Sequence, residues 1–157
     1  MRTRGNPFKG EVTLARRGII FPMMMEISYE WRGQITDAEM VRLVESYHGN
    51  AEEGWWDRIR PHSLGWVVGR IRDGSLAGFV NVAWDGSDHA FLIDTKVRAD
   101  LQRQGIGENL VRLATSRAKT AGCEWLHVDY AEPLTPFYVN ACGFRPTPAG
   151  LIRLTSL

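Results

Sequence analysis

Residues 90–121 constrain the fold more than any other stretch, because two periodicities meet there across a glycine turn. Residues 90–97, Ala-Phe-Leu-Ile-Asp-Thr-Lys-Val, form an apolar-rich run of strand character. Beyond the turn, Ile106, Leu110, Leu113, Ala114, Ala118 and Ala121 recur at helical spacing. Between them stands Gln102-Arg103-Gln104-Gly105-Ile106-Gly107. A strand that turns through glycines into a helix start leaves backbone N–H groups free at the positive end of a helix dipole, a ready anion site. Gly105 and Gly107 let the backbone approach a ligand without an intervening Cβ, and Arg103 supplies a guanidinium for phosphate oxygens. No Gly-Lys-Ser/Thr follows, so this is not a P-loop. The dinucleotide fingerprint, which needs Gly-x-Gly-x-x-Gly, is also absent. An ordinary strand-to-helix turn could carry the same glycines, so a second element must decide.

That element is the strand-like run of residues 125–130, Trp-Leu-His-Val-Asp-Tyr, followed by residues 133–144, Pro-Leu-Thr-Pro-Phe-Tyr-Val-Asn-Ala-Cys-Gly-Phe. Together the two segments closely resemble the GNAT superfamily of acetyl-CoA-dependent N-acetyltransferases. Gln102, Gly105 and Gly107 match that family's Gln/Arg-x-x-Gly-x-Gly/Ala motif. Phe137-Tyr138 and Gly143-Phe144 match its Phe-Tyr-x-x-x-Gly-Phe pattern with one residue extra. The resemblance spans residues 64–157 and implies an α+β fold: a mixed, mostly antiparallel sheet flanked by helices. The sheet should splay between the strand ending near Val97 and the one beginning near Trp125.

The resemblance also implies an activity, transfer of an acetyl group from acetyl-CoA to a primary amine by direct attack in a ternary complex. Backbone groups of Thr95, Lys96 and Val97 would pair with the pantetheine arm as an added strand would. An N–H near Thr95 would polarise the thioester oxygen. Gln102, Arg103, Gln104, Gly105, Ile106, Gly107 and Glu108 would hold the pyrophosphate end. Tyr138 occupies the place of the family's general acid, and a phenol can protonate a departing thiolate. The competing reading packs Tyr138 against the sheet beside Phe137 and Phe144.

For the base, His127 and Asp129 lie two apart on one strand and so share a face. Family members that acetylate the alanine terminus of ribosomal proteins carry a catalytic Glu at the position of His127. Imidazole suits an ammonium proton near neutrality, and Asp129 would orient it or act through water. Asp94 and His89 compete for the role, and each of the four also has a purely structural reading. The family's frequent Asn after this strand is replaced by Glu132 or Pro133. On the acceptor side, Glu52, Glu53 and Asp57 flank Trp55-Trp56, which could hold a cationic amine or simply close the core.

Composition, 44% hydrophobic and 24% charged, is ordinary for a soluble globular protein. A chain of 157 residues fits one domain, burying on the order of 70% of its unfolded surface. A formal net charge of +1 exerts no general pull toward nucleic acid or membrane. Cys123 and Cys142 are the only cysteines; they build no disulfide framework and no metal-ligand cluster, and a reducing cytoplasm suits them. No apolar run reaches the roughly eighteen residues of a membrane span. Residues 1–22 hold five basic residues against Glu11 and lead to Met23-Met24-Met25. They read as a disordered extension, or as sequence upstream of a native start, ahead of an acetyltransferase domain over residues 23–157. The acceptor is expected to be a small-molecule or peptide amine, and a homodimer is left open. Two rivals are a non-catalytic acyl-CoA-binding module and a nucleic-acid module using the basic arm; the near-neutral remainder disfavours the latter.

Smaller signals place the other elements. Alternation over residues 26–31 predicts a strand. Thr36-Asp37-Ala38-Glu39 is a capping box opening a helix with Met40, Leu43, Val44 and Tyr47 on one face. Residues 51–60 suit a short helix. Strands over 64–72 and 76–84 are joined by the hairpin signal Asp73-Gly74. The glycine-loop helix should end at Gly122. A short helix from Thr135 and a last strand over residues 151–154 complete the expectation.

Overall fold

The hairpin at Asp73-Gly74 joins two neighbouring antiparallel strands of the sheet. In the computed structural model, which describes residues 26–155, Gly74 takes φ +87° between β2 (Ser63–Ile71) and β3 (Leu76–Trp84). A second turn at Gly86, φ +85°, leads from β3 into β4 (His89–Val97). With β1 (Ile27–Trp31) and β5 (Trp125–Val128) they form one five-stranded sheet in the order β1-β2-β3-β4-β5. The β1–β2, β2–β3 and β3–β4 pairs are antiparallel, and only β4–β5 is parallel. This is the mixed, mostly antiparallel α+β architecture expected.

Helices cover both faces. α1 (Asp37–Glu45) starts at the capping box: the Glu39 N–H donates to the Thr36 hydroxyl, and the Thr36 N–H donates to the Glu39 carboxylate. α2 (Trp55–Ile59) has no side-chain cap at its own N-cap residue, but Asp37 reaches across to it. Its carboxylate accepts from the N–H of Gly54 at 2.6 Å and of Trp56 at 3.1 Å. Met40, Leu43 and Trp56 from these helices pack on Val68, Leu76 and Phe79. On the other face α3 (Ile106–Thr120) sets Ile106, Leu110, Val111, Ala114 and Ala118 on Val67, Val80, Val82, Ala90 and Leu92. Gly78 is required for that fit. A Cβ there would lie 2.8 Å from the Lys96 carbonyl oxygen and 2.9 Å from a Leu110 methyl.

Two expectations need adjustment. The first helix ends at Glu45, and Tyr47, expected on its face, lies in the turn Ser46–His48. The final strand is absent: residues 145–155 carry no regular structure, and Leu151, Ile152 and Leu154 are more than 80% exposed. A strand needs a hydrogen-bonded neighbour, and this segment has none among the described residues. Residues 1–25, including the basic extension and the three methionines, lie outside the described residues. No helix among those described is long and apolar enough to cross a membrane.

Candidate active site

The site begins where β4 loses its neighbour. β5 pairs with β4 from His89↔Trp125 to Leu92↔Val128 and then ends. β4 continues through Ile93–Val97 with that edge unpaired, so the sheet opens into a cleft. On its other edge β4 carries a bulge. Asn81 faces Ile93 and Phe79 faces Lys96, leaving Asp94 and Thr95 both opposite Val80. Asp94 takes φ +57° there, a left-handed conformation that aspartate tolerates better than most residues.

The bulge reverses the strand's parity. Ala90 and Leu92 face α3, and strict alternation would send Asp94 and Lys96 the same way. The extra residue instead turns Thr95 and Val97 toward α3, into the cleft, and turns Asp94 and Lys96 toward α1 and α2. Two cavities therefore share one backbone segment from opposite faces.

The larger, about 470 Å³, is lined by Thr95, Val97, Gln102, Arg103, Gly105, Ile106, Gly107, Glu108, Leu134, Phe137, Tyr138 and Ala141. Its floor is the N-terminus of α3. Gly105 is the N-cap residue at φ +79°, and no side chain caps the helix, so its first N–H donors face open space. A Cβ on Gly105 would meet nothing within 4 Å. Gly107 plays a different part: a Cβ there would sit 3.1 Å from the Phe137 ring, so this glycine makes room for packing rather than for ligand. Gln102 donates to the Val97 carbonyl at 3.3 Å and ties the loop to the strand end, while Glu108 pairs with Arg112 at 2.6 Å. Of the residues expected to hold a cofactor, only Gln104 and the Lys96 side chain lie away from this cleft.

Tyr138 closes the cleft from the far side. It is 6% exposed, stacks on Tyr130 at 4.9 Å between ring centroids, and meets Phe137 edge-on at 4.8 Å. Burial raises its phenol above the ordinary value, and the Thr95 side chain across the cleft partly offsets this. Its backbone lies in α4 (Pro136–Ala141), a wide π-type turn in which the Cys142 N–H donates to the Phe137 carbonyl five residues back. A π-turn absorbs one extra residue per turn. It thus accommodates the fourth residue between Tyr138 and Gly143. Cys142, half-buried beside Glu108, has its thiol pushed up to about 11 by burial and is no nucleophile.

His127 falls on the opposite face of β5 from Leu126 and Val128, which pack into the core, and Asp129 follows just past the end of the strand, exposed. The His127 Nε2 lies 2.7 Å from the Nδ1 of His89, and its ring stacks on Phe91 at 4.8 Å. Its hydrogen-bonding partner is thus His89, one of the competing candidates, rather than Asp129. Phe91, the register partner of His127, precedes Thr95 by four strand positions, a rise of roughly 13 Å.

The smaller cavity, about 210 Å³, lies behind the bulge and is lined among others by Asp37, Asn50, Glu52, Trp55, Asp94 and Lys96. The Lys96 ammonium pairs with Asp94 at 2.8 Å and sits 5.1 Å from the centre of the Trp55 ring. Burial and the nearby Asp94 carboxylate both raise the Tyr47 phenol. The two tryptophans therefore divide the two sequence readings. Trp56 is wholly buried in the core, whereas Trp55 forms a cavity wall. Glu52 pairs with Arg58 and Asp57 with Arg60. Among the described residues no group of three or more His, Cys, Asp or Glu is placed to hold a metal ion.

Sequence reasoning missed Leu134 and Ala141 as cleft walls. Ala141 was recoverable from its i+3 spacing after Tyr138; Leu134 depends on a 3₁₀ turn, Glu132–Leu134, that carries no periodic signal.

A splayed mixed sheet with a glycine-started helix at the opening defines an acyltransferase fold. The family model described as "Acetyltransferase (GNAT) family" matches residues 25–144, and the chain belongs to that family. Solved structures agree. A GNAT-family acetyltransferase from Streptococcus pneumoniae is similar at a TM-score of 0.70, with 22% identity over 83% of this chain and 98% of that one. A glucosamine-6-phosphate N-acetyltransferase from Arabidopsis thaliana gives 0.65, with 16% identity over 82% and 99%. An Escherichia coli GNAT-family N-acetyltransferase solved with CoA gives 0.64, with 16% identity over 77% and 69%. At these identities the likeness is one of fold. No curated protein sequence matches the chain.

Proposed function

We propose that the protein transfers an acetyl group from acetyl-CoA to a primary amine by direct attack in a ternary complex. The observation that carries this reading is the meeting of three features in one cleft. These are the unpaired β4 edge over Ile93–Val97, the uncapped N-terminus of α3 at Gly105, and the buried Tyr138 phenol beside Thr95. The free strand edge suits the amides of a pantetheine arm. The N–H groups of the glycine loop, with Arg103, suit a pyrophosphate. A backbone N–H near Thr95 serves the developing oxyanion, and Tyr138 delivers a proton to the departing sulfur.

The amine approaches from the α1–α2 side, where the smaller cavity shares the bulge. We assign the removal of its proton to His127 and Asp129, which lie on that face. The rise of roughly 13 Å between Phe91 and Thr95 makes a water relay part of the assignment. The free Cys123 and Cys142 suit a reducing cytoplasm. An acyl-CoA-binding module without turnover would share the cleft but would have no use for a buried proton donor in its wall.

Release of free thiol from acetyl-CoA across a panel of polyamines, aminoglycosides, amino acids and peptide N-termini tests the reading. Amine-dependent release with a matching acetylated product supports it. Tight CoA binding with no release on any class would favour the binding module.

A further inference from the structure

We propose that Lys96 sets the acceptor class, an inference that rests on the acetyl-transfer reading above. Its ammonium fills a cation seat in the smaller cavity. The acceptor is therefore an amine with one positive charge and a short uncharged remainder, and diamines are turned away. The seat has two parts. The Asp94 carboxylate lies 2.8 Å from the Lys96 nitrogen, and the centre of the Trp55 ring lies 5.1 Å from it. A carboxylate beside an aromatic face is the pairing that recognises an organic ammonium. Here the chain supplies that ammonium itself. The pair is largely out of solvent, with the Lys96 side chain 16% and the Asp94 side chain 29% exposed. The bulge in β4 is what brings both side chains to this face.

The other acids of the cavity are engaged as well. Asp37 accepts from the N–H groups of Gly54 and Trp56 at the start of α2, and Glu52 pairs with Arg58 at 3.0 Å. A second ammonium arriving with the acceptor thus meets the Lys96 charge and carboxylates that already have partners. What the cavity offers instead is apolar wall, from Met40, Val41, Val44, Ala51 and Trp55. Its volume, about 210 Å³, is below that of ordinary ligand pockets and suits a chain of a few carbons. Position couples this wall to the reaction. Asp94, Thr95 and Lys96 are consecutive, so an amine at the Thr95 N–H carries its substituent past side chains rooted about 3.8 Å to either side. Discrimination of this kind comes from a like charge set against the wrong acceptor, not from a better contact to the right one.

Length-matched acceptors test the proposal: butylamine, its diamine counterpart putrescine and its amino-acid counterpart γ-aminobutyrate, compared by kcat/KM for thiol release. Wild type should prefer butylamine to putrescine by at least about tenfold. Lys96→Met keeps most of the side chain's length but vacates the seat, and should raise the putrescine-to-butylamine ratio by about tenfold. Lys96→Arg should keep the ratio low, and adding Trp55→Leu to Lys96→Met should cancel part of the gain. A ratio is insensitive to a general loss of turnover or cofactor binding in a variant, and the wild-type comparison needs no variant to fold. Wild type that prefers putrescine overturns the proposal, as does an unchanged ratio in Lys96→Met. A preference for γ-aminobutyrate overturns it too, by making Lys96 the anchor of a carboxylate. If no amine is acetylated, the transfer reading fails, and calorimetry on the CoA-loaded protein still decides this one. Putrescine should then bind Lys96→Met more tightly than wild type, and equal affinity overturns the assignment of the seat.

Discussion

Replacing Tyr138 with Phe separates chemistry from packing, because the change removes one oxygen and keeps the ring. The ring's neighbours are Tyr130 at 4.9 Å, Phe137 at 4.8 Å and Phe144 at 6.0 Å, and none of these aromatic contacts needs the hydroxyl. What the hydroxyl has is the Thr95 side chain nearby and a desolvated position. Removing one partly desolvated hydroxyl from such a site costs at most about 1 kcal/mol. A melting temperature lowered by no more than about 2–4 °C is therefore expected for a domain of this size. Loss of the proton donor should lower turnover by about 10²-fold, or ~2.7 kcal/mol of transition-state stabilisation. CoA affinity by calorimetry should stay within about twofold, since a proton donor acts in the transition state and not in cofactor binding. The pH dependence carries a sign as well. Burial raises the phenol, the donor form is the protonated one, and so wild-type turnover should hold up to and beyond the ordinary phenol range near ~10. Full turnover in Tyr138→Phe, measured by thiol release at saturating substrates, would refute the assignment and leave Tyr138 as packing.

Other outcomes follow from the same coordinates. Gly78→Ala should destabilise the fold by about 1–3 kcal/mol in urea denaturation, because its Cβ would press on the Lys96 carbonyl and Leu110 and force α3 from the sheet. The Arg70 guanidinium binds Glu39 at 2.6 Å and lowers its carboxyl, so that stabilisation is full above the ordinary carboxylate pKa and lost as pH falls through the lowered one. Arg70→Ala should remove this acid limb from the stability profile, and an unchanged limb would assign it to other carboxylates. If His127 accepts the amine proton, kcat/KM should show an acid limb on which activity is lost. That limb should vanish in His127→Ala for amines of differing pKa; its persistence would exclude His127.

What the chain disclosed in advance was whatever depends on local periodicity and capping. The Thr36/Glu39 box, the Asp73-Gly74 turn and the β3 span over residues 76–84 follow from neighbours within a few positions. The glycine loop at the start of α3 and Tyr138 were legible through family resemblance and lie together in the cleft. The bulge at Asp94 was hidden, because one non-glycine residue at positive φ leaves no mark on composition, yet it decides that Thr95 rather than Lys96 faces Tyr138. The π-turn was visible only as a surplus residue before Gly143. The expected strand over residues 151–154 had the right composition, but a strand is a property of two segments, and none of the described residues pairs with it.

The central claim is that the opening between β4 and β5, with the N-terminus of α3, is the CoA site, and calorimetry with CoA on three proteins tests it most directly. Gly105 sits at φ +79° with open space around its missing Cβ, so Ala and Glu at this position bear the same backbone strain, about 1–2 kcal/mol. Only Glu places a carboxylate in the anion cradle. Wild type should bind, Gly105→Ala should bind with at most modest weakening, and Gly105→Glu, verified as folded, should show no heat of binding. Equal affinity for CoA in Gly105→Glu and Gly105→Ala would contradict the account and reduce the glycine loop to a turn.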